Sequence, residues 1–167
     1  FLIGISLSVF FLDHVRFRFK NFFYNIGDNY QILKSLEAFS SGGFFGKGIG
    51  ESEISKNLPD VHSDFIFSLA GEELGFLTAI LILLIYLFIF SRIYYLLKDE
   101  KNFLIFVATT GLSNILMFQT LINVSSSLNI LPTKGMTLPF ISYGGSSILS
   151  CSIIIGFILA LTKKNNE

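Results

Sequence analysis

From position 74 to 97 the chain runs for 24 residues with a single formal charge, Arg92, close to the end of the run. At 1.5 Å of rise per residue, about 20 predominantly apolar residues cross the ~30 Å hydrocarbon core of a bilayer. Backbone polar groups find no water in that core, so the run is expected to be a helix. The whole chain agrees with a membrane assignment. It is 51% hydrophobic with a mean hydropathy of +0.65, and only 14% of its 167 residues are charged, against about 25% in soluble domains. Twenty Phe and six Tyr exclude a disordered chain. Twelve Lys+Arg balance twelve Asp+Glu, which leaves no bulk basic field for nucleic acid. The single cysteine, Cys151, sits in an apolar run and reads as a small buried thiol.

Two further spans are expected. Residues 103–128 are interrupted by Asn114, Gln119 and Asn123 but by no full charge, and residues 147–162 form a shorter span that can borrow length from Phe140 onward. Residues 1–12 are apolar but too short to cross, and read as the end of a truncated membrane helix. Between them, residues 13–63 form a polar loop with a Gly-rich run from Gly42 to Gly50. Inside it, residues 30–39 have helical spacing, with Ile32, Leu33, Leu36 and Phe39 on one face. A short amphipathic helix on the membrane surface is expected there. Short loops with Lys and Arg mark the cytoplasmic side. Arg92, Lys98, Lys101, Lys163 and Lys164 outnumber Lys134, the lone cation of the loop 129–146. The C-terminus is therefore expected inside, with loops 13–63 and 129–146 outside. Arg16, Arg18 and Lys20 then form an outer basic cluster, suited to an anionic ligand such as a lipid phosphate.

Some apparent motifs carry no chemistry. Gly46-Lys47-Gly48-Ile49-Gly50 lacks the Ser or Thr that follows Lys in a phosphate loop, so its glycines are expected to permit tight turns against the membrane surface. His14 and His62 have no metal-ligand spacing around them. Asn123-Val124-Ser125 matches a glycosylation sequon but falls in a span.

Two stretches are more informative. In Pro59-Asp60-Val61-His62-Ser63-Asp64-Phe65-Ile66-Phe67-Ser68-Leu69-Ala70-Gly71-Glu72-Glu73, a helix can start near Ser63 or Asp64. Asp64, Ser68 and Glu72 would then share a face at four-residue spacing. An acid at the mouth of a membrane helix is a functional candidate, although Asp64 could equally be an N-cap. In Leu131-Pro132-Thr133-Lys134-Gly135 through Ser142-Tyr143-Gly144-Gly145-Ser146-Ser147, prolines and glycines preclude a straight helix. This apolar run must be re-entrant backbone packed on protein or lining a cavity.

Together these residues resemble the SEDS family (shape, elongation, division and sporulation) from about Asp13 to the end. The markers are Tyr30-Gln31, Ser41-Gly42-Gly43, Gly46 to Gly50, His62-Ser63-Asp64-Phe65-Ile66-Phe67, Gly71-Glu72-Glu73-Leu74-Gly75, Lys134, and Ser142 to Ser147. Pro132-Thr133-Lys134-Gly135 is similar to the cell-division branch more than to the elongation branch, and Ser63 stands where Thr is more usual. The resemblance implies an all-α polytopic fold, of which this chain holds about the last four of ten helices. It implies a peptidoglycan glycosyltransferase that polymerises lipid II at the bacterial inner membrane during septal wall synthesis. A lipid II flippase and a non-catalytic scaffold are the alternatives. Asp64 is the implied catalytic acid. Lys134, Arg16, Arg18 and Lys20 are available for the diphosphate, with Glu72 and Ser142 as further substrate contacts. Implied partners are a class B penicillin-binding transpeptidase, membrane lipids and other division proteins. No cofactor is implied, and a divalent cation beside the diphosphate stays open.

Overall fold

The structure, a computed structural model, describes residues 30–132 and 135–163. The expected helix end at 1–12, the basic positions Arg16, Arg18 and Lys20, and Lys134 lie outside the described residues. Within them the chain is all-helical. α1 is Tyr30–Ser41, a short 3-10 turn follows at Ser55–Asn57, and α2 (Ile66–Leu97), α3 (Phe103–Ser127) and α4 (Gly145–Thr162) complete it. Each of the last three is long and apolar enough to cross a membrane, and the protein is a multi-pass membrane protein.

α2 is apolar all round because lipid and protein are equally good neighbours for it. Phe90, Ile93 and Leu97 face the other helices while Leu81, Leu84 and Phe88 face outward. The five-residue link 98–102 returns the chain beside α2, and Asn102 Oδ1 caps α3 by accepting from the Leu104 amide at 3.0 Å. On α3 the polar residues Thr109, Ser113, Thr120, Asn123 and Ser127 turn inward, away from lipid, and Asn123 finds partners outside its own helix.

α1 forms, but with a different inner face from the one its periodicity predicts. Ile32 is buried, yet Leu33 and Leu36 point outward, and the remaining inner positions are Ser35 and Ala38. Small side chains bring α1 close enough for Ser35 Oγ to lie 2.6 Å from Ser68 Oγ on α2 and to donate to the Ser127 carbonyl of α3 at 2.9 Å. Phe39 stacks on Phe67 with ring centroids 5.6 Å apart. α1 is thus docked on α2 and α3.

α2 departs from expectation at both its start and its interior. It begins at Ile66, because the amides of Ser63 and Asp64 both bond the Asp60 carbonyl in a turn, at 3.1 and 2.9 Å. Asp64 therefore lies outside the helix and does not extend the face of Ser68 and Glu72. At Gly75 (φ 86°) the helix breaks. In an unbroken helix the amides of Phe76 and Leu77 would bond the carbonyls of Glu72 and Glu73. Here they bond Gly43 and Phe44 carbonyls, at 2.9 and 3.3 Å, and the freed Glu72 and Glu73 carbonyls accept from the Lys47 and Gly48 amides, both at 3.0 Å. The Gly-rich loop is threaded into the break and every freed backbone group is satisfied. The contact requires glycine: a Cβ on Gly42 would meet the Gly71 carbonyl at 2.0 Å, and one on Gly46 would meet that of Glu73 at 2.2 Å. Gly42 and Gly46 thus serve backbone-to-backbone approach, while the positive φ of Gly46, Gly48 and Gly50 agrees with the tight turns expected of this run. Beyond the break, residues 76–97 would reach about 33 Å, the thickness of the hydrocarbon core.

Candidate active site

Asp64 sits in the turn just before α2, half-buried. Opposite it runs the loop 135–144, which is non-helical as the prolines and glycines require. Side chains hold this loop in place. Ser142 Oγ donates to the Ser63 carbonyl at 2.6 Å and accepts from the Leu138 amide at 2.7 Å, and the Tyr143 amide bonds the His62 carbonyl at 2.8 Å. From α3, Gln119 Nε2 bonds the Thr137 carbonyl at 3.0 Å and its hydroxyl at 3.1 Å. Asn123 Nδ2 reaches the Met136 carbonyl at 2.6 Å and the Asp64 carbonyl at 2.9 Å. The Tyr86 hydroxyl of α2 donates to the Pro139 carbonyl. Phe140 is held at φ 62°, a conformation that a bulky residue adopts only under such restraint.

The loop and the carboxylate meet at Gly135, where a Cβ would lie 3.1 Å from Asp64 Oδ2. Gly135 also lines an open groove of about 360 Å³ with the hydroxyls of Thr137, Ser146, Ser147 and Ser150. Loss of water around Asp64 raises its carboxyl above the usual range. The nearby Asp60 charge adds to this and the Ser63 hydroxyl opposes it. The result is a carboxylate more basic than a free one, against the glycine that lines this groove, able to accept a proton.

Glu72 lies elsewhere and is completely buried. Its Oε1 accepts from Lys47 Nζ at 3.1 Å and from the amides of Glu53 and Ile54 at 3.0 and 3.1 Å. Its Oε2 takes the Ser55 amide at 2.9 Å and hydroxyl at 2.5 Å. Both oxygens are occupied by protein donors, and the bond to Glu72 holds the Lys47 ammonium above its ordinary range. Of the expected site residues, the structure brings together Asp64 and Ser142, through the Ser63 carbonyl, and sets Glu72 apart on α2, against the loop that carries Lys47 and Ser55. Sequence reasoning noted Gln119 and Asn123 only as interruptions of a span. Their four-residue spacing, which places them on one helix face, was the signal that both tether a single loop.

Comparison with known proteins follows the same residues. Over 98% of its length the chain is 40% identical to a protein of Caulobacter vibrioides named "Probable peptidoglycan glycosyltransferase FtsW". Proteins of the same name from Buchnera aphidicola subsp. Acyrthosiphon pisum and Riesia pediculicola are 50% and 44% identical over 81% and 84% of the chain. The chain spans 42%, 35% and 40% of the lengths of these three relatives, about two fifths. With residues 2–167 matching its description as well, the chain belongs to the FtsW/RodA/SpoVE family of cell cycle proteins.

Proposed function

We propose that this chain carries the catalytic carboxylate of a peptidoglycan glycosyltransferase, and that Asp64 is the general base that extends glycan strands from lipid II. In this reaction the acceptor sugar hydroxyl attacks the anomeric carbon of the donor. A new glycosidic C–O bond forms, the bond from that carbon to the diphosphate oxygen breaks, and the hydroxyl proton passes to Asp64. Undecaprenyl diphosphate leaves with the bonding pair. Because a diphosphate is already a good leaving group, one carboxylate suffices where glycoside hydrolysis needs two. Lys134, Arg16, Arg18 and Lys20 are the cations available to the departing phosphates. The enzyme works at the outer face of the inner membrane, at the division septum, with its C-terminus in the cytoplasm and a class B transpeptidase as partner.

The observation that supports this reading best is the Asp64 carboxylate itself: partly desolvated, facing Gly135, which lines the open groove, and carried on a backbone fixed by Asn123 and Ser142. The relatives' printed name agrees with it. The test is Asp64→Asn in the full-length protein, reconstituted with its transpeptidase and lipid II. Glycan polymer should fall by about 10²–10⁴-fold, the usual contribution of a general base, with partner binding intact. Polymerisation at the original rate sinks the assignment. Scrambling of labelled lipid II across vesicles, insensitive to the same substitution, would point to a flippase instead.

A further inference from the structure

Asn123 is buried to 1% exposure near the C-terminal end of α3, and both hydrogens of its amide are used. One goes to the Asp64 carbonyl and the other to the Met136 carbonyl. The chemistry fixes this orientation, since the opposite one would press Oδ1 against two carbonyl oxygens. Among the described residues Oδ1 has no partner. The residue thus spends both donors on two segments that lie 59 and 13 residues away along the chain. From these two anchored segments project the Asp64 carboxylate and Gly135, whose added Cβ would stand 3.1 Å from Asp64 Oδ2 and whose φ is +59°.

We infer that Asn123 is a positioning residue that sets the gap between the Asp64 carboxylate and the 135–136 backbone, and that Gly135 keeps this gap clear. The inference rests on the assignment of Asp64 as base. Its rival is a purely structural tether, and the molecule supplies the comparator. Gln119, one turn earlier on α3, bonds the same loop twice at Thr137. Neither of those bonds goes to the Asp64 segment.

The experiment compares Asn123→Ala with Gln119→Ala in the full-length protein bound to its transpeptidase, reading lipid II polymerisation and thermal unfolding. Each variant loses two hydrogen bonds and should melt earlier to a similar degree. Only Asn123→Ala should lose kcat by about 100-fold, the scale of an ångström of misplacement, with KM for lipid II little changed. Equal kcat losses in the two variants, or a loss confined to KM, overturn the inference. Gly135→Ala, on the open loop, should lower kcat without a comparable loss of melting temperature, and an unchanged kcat overturns the gap. Should Asn123→Ala fail to assemble, Asn123→Gln decides, because it keeps both donors on a longer arm; unchanged kcat there also overturns positioning. An active Asp64→Asn protein would remove the base and this inference together. An inactive one beside a fully active Asn123→Ala would remove this inference alone.

Discussion

The loop between α1 and α2 meets its helix backbone to backbone, whereas the loop between α3 and α4 is hung from side chains. In the first, four main-chain hydrogen bonds interleave the residues after Gly42 with the break at Gly75, and the Glu72 carboxylate collects five donors from Lys47 to Ser55. In the second, Gln119, Asn123, Ser142 and Tyr86 each reach a carbonyl of the loop or of the turn beside it. A backbone zipper has no room for a Cβ and no slack. A loop held by separate side chains can be shifted locally where one of them is removed, and its 135–136 end, held by Asn123, is the part that faces Asp64. Rigidity and chemistry occupy different ends of one contiguous stretch of chain.

This contrast can be broken at three points. The largest effect is expected from Gly42→Ala, whose Cβ would lie 2.0 Å from the Gly71 carbonyl. Undocking the loop should cost about 3 kcal/mol, the upper end of overpacking, and appear as a lower melting temperature and yield of the full-length protein in detergent. A protein of unchanged melting temperature would show that the zipper is dispensable. Glu72→Gln comes next. It leaves Lys47 only the more distant Glu53 carboxylate, at 3.6 Å, and turns an amide NH₂ toward N–H donors, for about 2–3 kcal/mol of destabilisation. Residual polymerisation should keep its pH dependence. Lost activity with unchanged melting would instead make Glu72 a substrate contact and erase the division between the two loops. The smallest effect is expected from Asp60→Asn. Asp60 disfavours the ionised form of Asp64, so its removal lowers the Asp64 pKa. With Asp64 as the proposed base, polymerisation needs that carboxylate ionised and should be lost as pH falls through this pKa. The acidic limb of the rate profile should therefore move to lower pH in the variant. An unmoved limb would separate the limb from Asp64.

The spans and the non-helical loop before α4 were legible in the residues, because apolar length and a Pro/Gly-rich stretch act locally. The inner face of α1 was not. Apolar periodicity identifies a buried face only when water is the alternative. Here Leu33 and Leu36 can face outward while Ser35 and Ala38 permit the close approach. The break at Gly75 was equally hidden, since a glycine in an apolar helix costs only about 1 kcal/mol and is usually tolerated in place. It becomes a break only because Gly43 and Phe44 supply the missing acceptors. Asp64 stood out as an acid at a membrane mouth, but its raised pKa and its contact with Gly135 could not be anticipated. Both depend on chain far away in sequence.

By itself, the order of amino acids determined a membrane protein built from helices, with polar loops at either side and one acid placed where a span begins. Those features follow from transfer free energy and local sterics, which each segment feels alone. The tertiary structure decided which polar atoms find each other: Glu72 with one loop, Asn123 with two strands of chain, Gln119 with Thr137. Hydrogen bonds in a dry interior are short-ranged and directional, so their pairing exists only once the helices have packed.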